Sequence, residues 1–208
     1  MNKSTVKSRI EQKKRQRRNK RNKRIYKLVS GLALVVLAAV FLIVGIRSGL
    51  NLSRNIKYPV QYSEYISRYA KENELDPYVV IALIKQESNF VADARSKYAG
   101  GLMQLTEATA HEYAAKLGLE NYDYMSPQTN IQIGCYVLKT LIDKYGVLDT
   151  ALAAYNAGPG NVDEWLENPG YSVDGKTLSY IPYGETRGYV TKINKYIEEY
   201  KEQVKFEN

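Results

Sequence analysis

Asp76-Pro77-Tyr78-Val79-Val80-Ile81-Ala82-Leu83-Ile84-Lys85-Gln86-Glu87-Ser88-Asn89-Phe90 is the stretch that decides how this chain folds. Asp76 can cap a helix, and Pro77 suits the first helical position, where its missing N–H costs nothing. Six apolar residues follow without a break, so the helix presents no polar stripe and belongs inside a core. It closes on Glu87 and then on small and polar residues that cannot all be packed. Apolar surroundings disfavour a carboxylate, so Glu87 is a candidate proton donor near neutral pH. A solvated helix end is the plainer reading of a single glutamate.

The other helices lie around this one. Tyr62, Tyr65, Ile66 and Tyr69 recur at helical spacing. Thr106 can cap a helix running to Leu117, where Gly118 stops it. Ser126-Pro127 opens another, with Ile131, Ile133, Val137, Leu138, Leu141 and Ile142 apolar, ending at Tyr145-Gly146. A short helix starts at Asp149 and includes Ala151 to Ala154. Residues 158–184 are rich in Gly, Pro and Asn and read as loop, with a short helix around Val162 to Leu166 or a small hairpin later. A last helix runs from about Thr186 to Val204. The fold class expected is mainly α, with no repeat and no second domain beyond the membrane.

The formal charge of +8 divides unevenly. Residues 1–27 hold thirteen Lys and Arg against one acid, Glu11, whereas the rest holds seventeen bases and twenty-one acids. Between them the run 28–46, LVSGLALVVLAAVFLIVGI, is uncharged and, as a helix, about 28 Å long, close to a bilayer's hydrocarbon thickness. It is longer than the apolar region of a secretory signal, lacks a clear small-residue cleavage pattern, and reads as an uncleaved anchor. No Cys follows it, so a lipid-bearing anchor is not indicated. Basic residues stay on the cytoplasmic side, which puts the chain after Arg47 outside. The expected organisation is a basic cytoplasmic segment 1–27, a transmembrane anchor 28–46, a stalk 47–57 and a catalytic domain 58–208. The basic run suits anionic lipid. It lacks aromatics to stack on bases, so no nucleic acid is expected. The single cysteine, Cys135, allows no internal disulfide.

Three blocks carry the chemistry. Glu87-Ser88-x-Phe90 with Ser96, Gly101-Leu102-Met103-Gln104-Leu105 and Thr109-Ala110 form the first. Ala154-Tyr155-Asn156-Ala157-Gly158-Pro159-Gly160 is the second, and Ile181-Pro182-Tyr183-x-Glu185-Thr186-Arg187-x-Tyr189-Val190 the third. In this order they resemble the signatures of the lytic transglycosylases of the soluble (SLT) type, over roughly Tyr58 to Val204. The resemblance implies a lysozyme-like helical fold and cleavage of the β-1,4 bond between N-acetylmuramic acid and N-acetylglucosamine in peptidoglycan glycan strands. It implies that Glu87 is the catalytic acid and then base, assisted by the substrate's acetamido group, and that no metal or organic cofactor is needed. Ser96, Gln104, Tyr155, Asn156, Glu185 and Tyr189 match positions expected to bind substrate.

Four of them have a plainer alternative: a turn residue for Ser96, core packing for Tyr155 and Tyr189, a helix cap for Glu185. Arg187 reads as a structural ion-pair partner. The chain has one residue fewer than the family's S-x-x-G-A-x-G-L-M-Q, and Thr106-Glu107 where the family has Met-Pro. Glu107 is an acid close in sequence to the site, though acids favour helix N-termini in any case. A lone carboxylate suits substrate assistance, whereas ordinary glycosidases use a pair. Alternatives are a hydrolytic muramidase, a Cys135–His111 peptidase, and a non-catalytic wall-binding subunit of an envelope-spanning machine.

Overall fold

The computed structural model describes residues 3–57, 60–204 and 206. It divides into two compact units, Met1–Lys57 and Tyr58–Asn208.

The first unit is one helix, α1 (Lys3–Lys57), which runs through the residues read as a stalk. Within it, Tyr26–Gly49 is long and apolar enough to cross a membrane. Its described apolar side chains, such as Leu28, Leu34 and Phe41, are exposed within the protein, as a surface made for lipid would be.

The second unit is built on α3 (Pro77–Ser88). Asp76 caps it by accepting from the Tyr78 N–H at 2.9 Å, and Asn89, in the left-handed conformation, ends it. Val80 to Ile84 are wholly buried and Val79 nearly so. Burial of side chains this size contributes about 1.5–3 kcal/mol each, so the run commits α3 to the centre. α2 (Ser63–Glu72) and α8 (Gly184–Gln203) pack directly on it. α5 (Pro127–Tyr145) and α6 (Leu148–Ala157) form a second packed pair, which α4 (Glu107–Lys116) and α7 (Pro159–Glu167) flank. α8 buries Thr186, Tyr189, Val190, Ile193, Ile197 and Tyr200, a helical stripe facing the core.

Two features depart from the sequence reading. Pro159 to Glu167 is helical from its first residue, although Gly158-Pro159-Gly160 reads as loop. Gly158 at φ 88° turns the chain out of α6, and Pro159 then starts α7 at the position that tolerates it, while Val162 and Trp165 are buried. The second feature is a hairpin, β1 (Ala99–Gly100) with β2 (Leu105–Thr106), whose turn is Gly101-Leu102-Met103-Gln104. Its strands are too short for period-two patterning to show. A lone bridge between Ser172 and Leu178 forms the small hairpin expected later in the chain.

Met103, at the hairpin's turn, is wholly buried against α5: a Cβ on Gly134 would lie 2.3 Å from its sulfur and 3.0 Å from its own Cβ. Helix propensity favours alanine over glycine by about 1 kcal/mol. Overpacking costs about 1–3 kcal/mol, and the clash with Met103 Cβ, fixed close to the backbone, sets it in the upper half of that range. Gly134→Ala is therefore expected to lower stability despite its better propensity, measured as a fall in Tm.

Candidate active site

Glu87 stands in the last turn of α3 with its carboxyl half-buried. Burial pushes its pKa up to about 7, and a hydrogen bond donated by the Tyr189 hydroxyl to Oε1 opposes the rise. The C-terminal end of a helix also disfavours negative charge there. The chain just beyond is unusual: Asn89 (φ 50°) and the buried Phe90 (φ 66°) are both left-handed. Two such residues in sequence turn the backbone sharply at the end of α3 and persist only where packing enforces them.

Tyr189 and Tyr155 are the two phenols that Glu87 acts upon. Burial pushes both phenols well above their ordinary range, and the charge of Glu87 adds to each. The Tyr155 hydroxyl donates to the Met103 carbonyl at 2.9 Å, tying α6 to the turn of the hairpin. Gln104, at φ 47°, donates from Nε2 to the carbonyls of Gly101 (2.9 Å) and Ala94 (3.2 Å). Its Oε1 is left as an acceptor. Asn156 is the converse: its Oδ1 accepts from the Thr186 hydroxyl at 2.7 Å, which leaves its N–H groups as donors.

Gln104, Tyr155 and Asn156 line two adjoining cavities that share Asn156 and Ala157, and Glu87 and Tyr189 lie behind Tyr155 rather than in either lining. One, about 550 Å³, includes Gln104, Thr106, Tyr113 and Tyr155. The other, about 530 Å³, includes Tyr183, Glu185 and Thr186. Glu185 is exposed in the first turn of α8 and makes no capping hydrogen bond, so it is free to face the second cavity. Ser96 serves the turn: its Oγ accepts from the Ala99 N–H at 3.1 Å and bonds the Ala99 carbonyl at 3.3 Å.

Asn130 is a residue the sequence reading passed over. Wholly buried, it accepts from the Met103 N–H (2.7 Å) and donates to the Gly100 (3.2 Å) and Tyr124 (2.8 Å) carbonyls. A Cβ on Gly101 would lie 2.1 Å from its amide nitrogen, so this glycine, at φ 82°, makes room for the stitch. Asparagine on the buried face of an apolar helix was the available signal. Such a group must find partners inside.

Other sequence candidates lie elsewhere. Glu107 is an exposed residue 3.7 Å from His111, and His111 bonds the Tyr122 hydroxyl at 2.6 Å. Cys135 is wholly buried, and that burial pushes its thiol up, the opposite of a reactive cysteine. Arg187 bonds the Ile181 carbonyl and forms no ion pair among the described residues. No group of three or more His, Cys, Asp or Glu capable of holding a metal occurs among the described residues.

The helical domain thus holds a carboxyl whose pKa burial raises to about 7, coupled to Tyr155, which lines the first of the two open cavities. The transglycosylase SLT domain model matches residues 64–177, and the chain belongs to that family. The chain is 33% identical over 147 residues to the soluble lytic murein transglycosylase of Salmonella typhimurium, covering 67% of this chain and 23% of that protein. Membrane-bound lytic murein transglycosylase F of Cellvibrio japonicus is 33% identical over 113 residues, covering 50% of this chain and 21% of the relative. The crystal structure of an inactive mutant of a lytic transglycosylase from Pseudomonas aeruginosa superposes with a TM-score of 0.63 at 32% identity, over 71% of this chain and 25% of that one. The chain thus spans about a quarter of the length of the curated relatives it first matches. With these neighbours the second unit has the lysozyme-like SLT fold.

The raised pKa of Glu87 makes stability depend on pH. The unfolded chain ionises above its ordinary 4.5, while the folded one keeps the proton until about 7, so stability is full below 4.5 and lost as pH rises through that window. Glu87→Gln removes the loss. It should match wild type near pH 4 and exceed it by up to about 3 kcal/mol near pH 8 in denaturant unfolding. Tyr189→Phe removes the hydrogen bond that favours the carboxylate, and should move the Glu87 titration, followed by ¹³C NMR, still higher.

Proposed function

We propose that this protein is a peptidoglycan lytic transglycosylase with Glu87 as its single acid and base. The observation that carries the reading is the state of that carboxyl. It is half-buried, has a pKa of about 7, and no second carboxylate contributes to its shift among the described residues. Near neutral pH both protonation states are populated, as a group that must give and then take a proton requires.

Protonated Glu87 donates to the oxygen of the β-1,4 bond between N-acetylmuramic acid and N-acetylglucosamine. As that bond breaks, the 2-acetamido carbonyl of the muramic residue bonds to C1, and the substrate supplies what a second carboxylate supplies elsewhere. Glu87, now ionised, takes the proton of the C6 hydroxyl, whose oxygen displaces the acetamido group to close a 1,6-anhydro ring. Tyr189 holds the carboxyl in register. Gln104 offers an acceptor and Asn156 donors to the sugars, Tyr155 an aromatic wall, and Glu185 a contact further along the groove. Ser96 acts through the turn it closes. The domain limits follow the same reading: a basic segment 1–27, an anchor 28–46, a stalk 47–57 and a catalytic domain 58–208.

The apolar part of α1 supports membrane anchoring, with the basic segment on the cytoplasmic side and the catalytic domain outside. An enzyme so mounted suits an assembly that crosses the envelope.

Purified protein given peptidoglycan should release muropeptides ending in 1,6-anhydro rings. Reducing ends with one added water would instead identify a hydrolytic muramidase. Glu87→Gln should lose at least about a hundredfold in rate with its fold intact. Because the first step needs the protonated acid, wild-type kcat/KM should fall as pH rises above about 7.

A further inference from the structure

At 100° per residue, Glu185 and Tyr189 lie on one side of α8 and Arg187, Thr191 and Asn194 on the other. On that other side is a separate cleft of about 230 Å³, walled by Asp149, Ser179, Tyr180, Arg187, Thr191 and Asn194. Nothing in the cleavage reaction uses it.

Two charges line this cleft without meeting. Arg187 is pinned from two directions: Nη1 donates to the Ile181 carbonyl at 2.6 Å, and the guanidinium carbon lies 5.0 Å from the Tyr180 ring centroid. One of its five N–H donors is spent on that carbonyl, and no carboxylate pairs with it among the described residues. Asp149 accepts the Asn194 amide on Oδ1 at 2.8 Å, leaving Oδ2 without a partner, and it pairs with no base among the described residues. Clamping the 178–185 strap would explain the bond to Ile181. It leaves unexplained why a rigid, unpaired cation and a half-used carboxylate share one wall.

We propose that this cleft binds an α-amino-acid zwitterion, the carboxylate on the Arg187 fork and the ammonium on Asp149. A planar guanidinium with free donors matches a carboxylate bidentately. The cavity is smaller than the roughly 300–1,000 Å³ of drug-sized sites, and so takes an amino-acid head and little more. Such a head is either a free amino acid or an unlinked side-chain terminus in a wall peptide that carries amine and carboxylate on one carbon, since a peptide's C-terminal residue has lost its ammonium to the amide bond. The second source rests on the transglycosylase reading. The strap favours it: residues 178–181 line the cleft and 182–185 the groove, so a peptide hanging from a strand in the groove has only this segment to cross.

The test titrates full-length protein in detergent with D-alanine, N-acetyl-D-alanine and D-alaninamide, following the backbone amides of Thr191 and Asn194 by NMR. D-Alanine should give saturable shifts in the millimolar range. Blocking either end, or substituting Arg187→Gln or Asp149→Asn, should weaken binding about tenfold or more. Arg187→Lys, which keeps the charge and loses the fork, should fall between, and circular dichroism should show each variant folded. Absence of saturable shifts, or equal binding by the blocked compounds, overturns the proposal. A disaccharide–peptide carrying a free zwitterionic residue should bind at least as well as D-alanine, and its amine-acetylated form should not. Binding of D-alanine alone supports the cleft and rejects the wall-peptide source. Glu87→Gln should leave all of this unchanged, so failure of the cleavage reading is read separately.

Discussion

The packing of α3 against α8 is the constraint on which the rest of the second unit depends. α3 is apolar on every side from Val79 to Ile84, so it is stable only when wholly enclosed, and α8 with its buried stripe supplies much of the enclosure. The same contact carries Tyr189 to Glu87. A carboxyl at the end of so dry a helix meets a low-dielectric surrounding on one side and a single hydroxyl on the other. That balance, more than any network of charges, sets its proton affinity. Core packing and acid chemistry are here one arrangement.

Around this pair the groove is assembled from backbone that had to be bent. Phe90, Gln104 and Gly101 all have positive φ, and each lies between Glu87 and the start of α4. Asn130 holds the bend with two hydrogen bonds, to Gly100 and Met103, and is itself anchored to the Tyr124 carbonyl, while Tyr155 ties the bend to α6 through Met103. Polar side chains in this region spend one end of their amide inside the protein and present the other outward, as Gln104 and Asn156 do in opposite senses. A wall made this way offers both acceptors and donors from few residues.

What could be read from residues alone follows from the range of the forces involved. Caps such as Asp76-Pro77, Ser126-Pro127 and Thr106 act within a turn, so the starts of α3, α5 and α4 were legible. So were the stops at Gly118 and Gly146. The hairpin was not, because two-residue strands have no period and are held by Asn130, distant in sequence. Most of α7 was legible as a short helix around Val162 to Leu166, and only its first turn was hidden by the glycines and proline that open it. Of the site, Glu87 stood out by its apolar run and Tyr155 only by its block. The bond from Tyr189 joins residues 102 positions apart, which local pattern cannot foresee. Ser96 shows the reverse: a matched position whose hydroxyl is taken up by its own turn.

Cys135 has a consequence of its own. It is the only cysteine in the chain, lies wholly inside, and its thiol is held in the unreactive protonated form. The helical unit is therefore complete without any oxidation step. With one cysteine no disulfide can form within the chain, so packing alone holds this unit together.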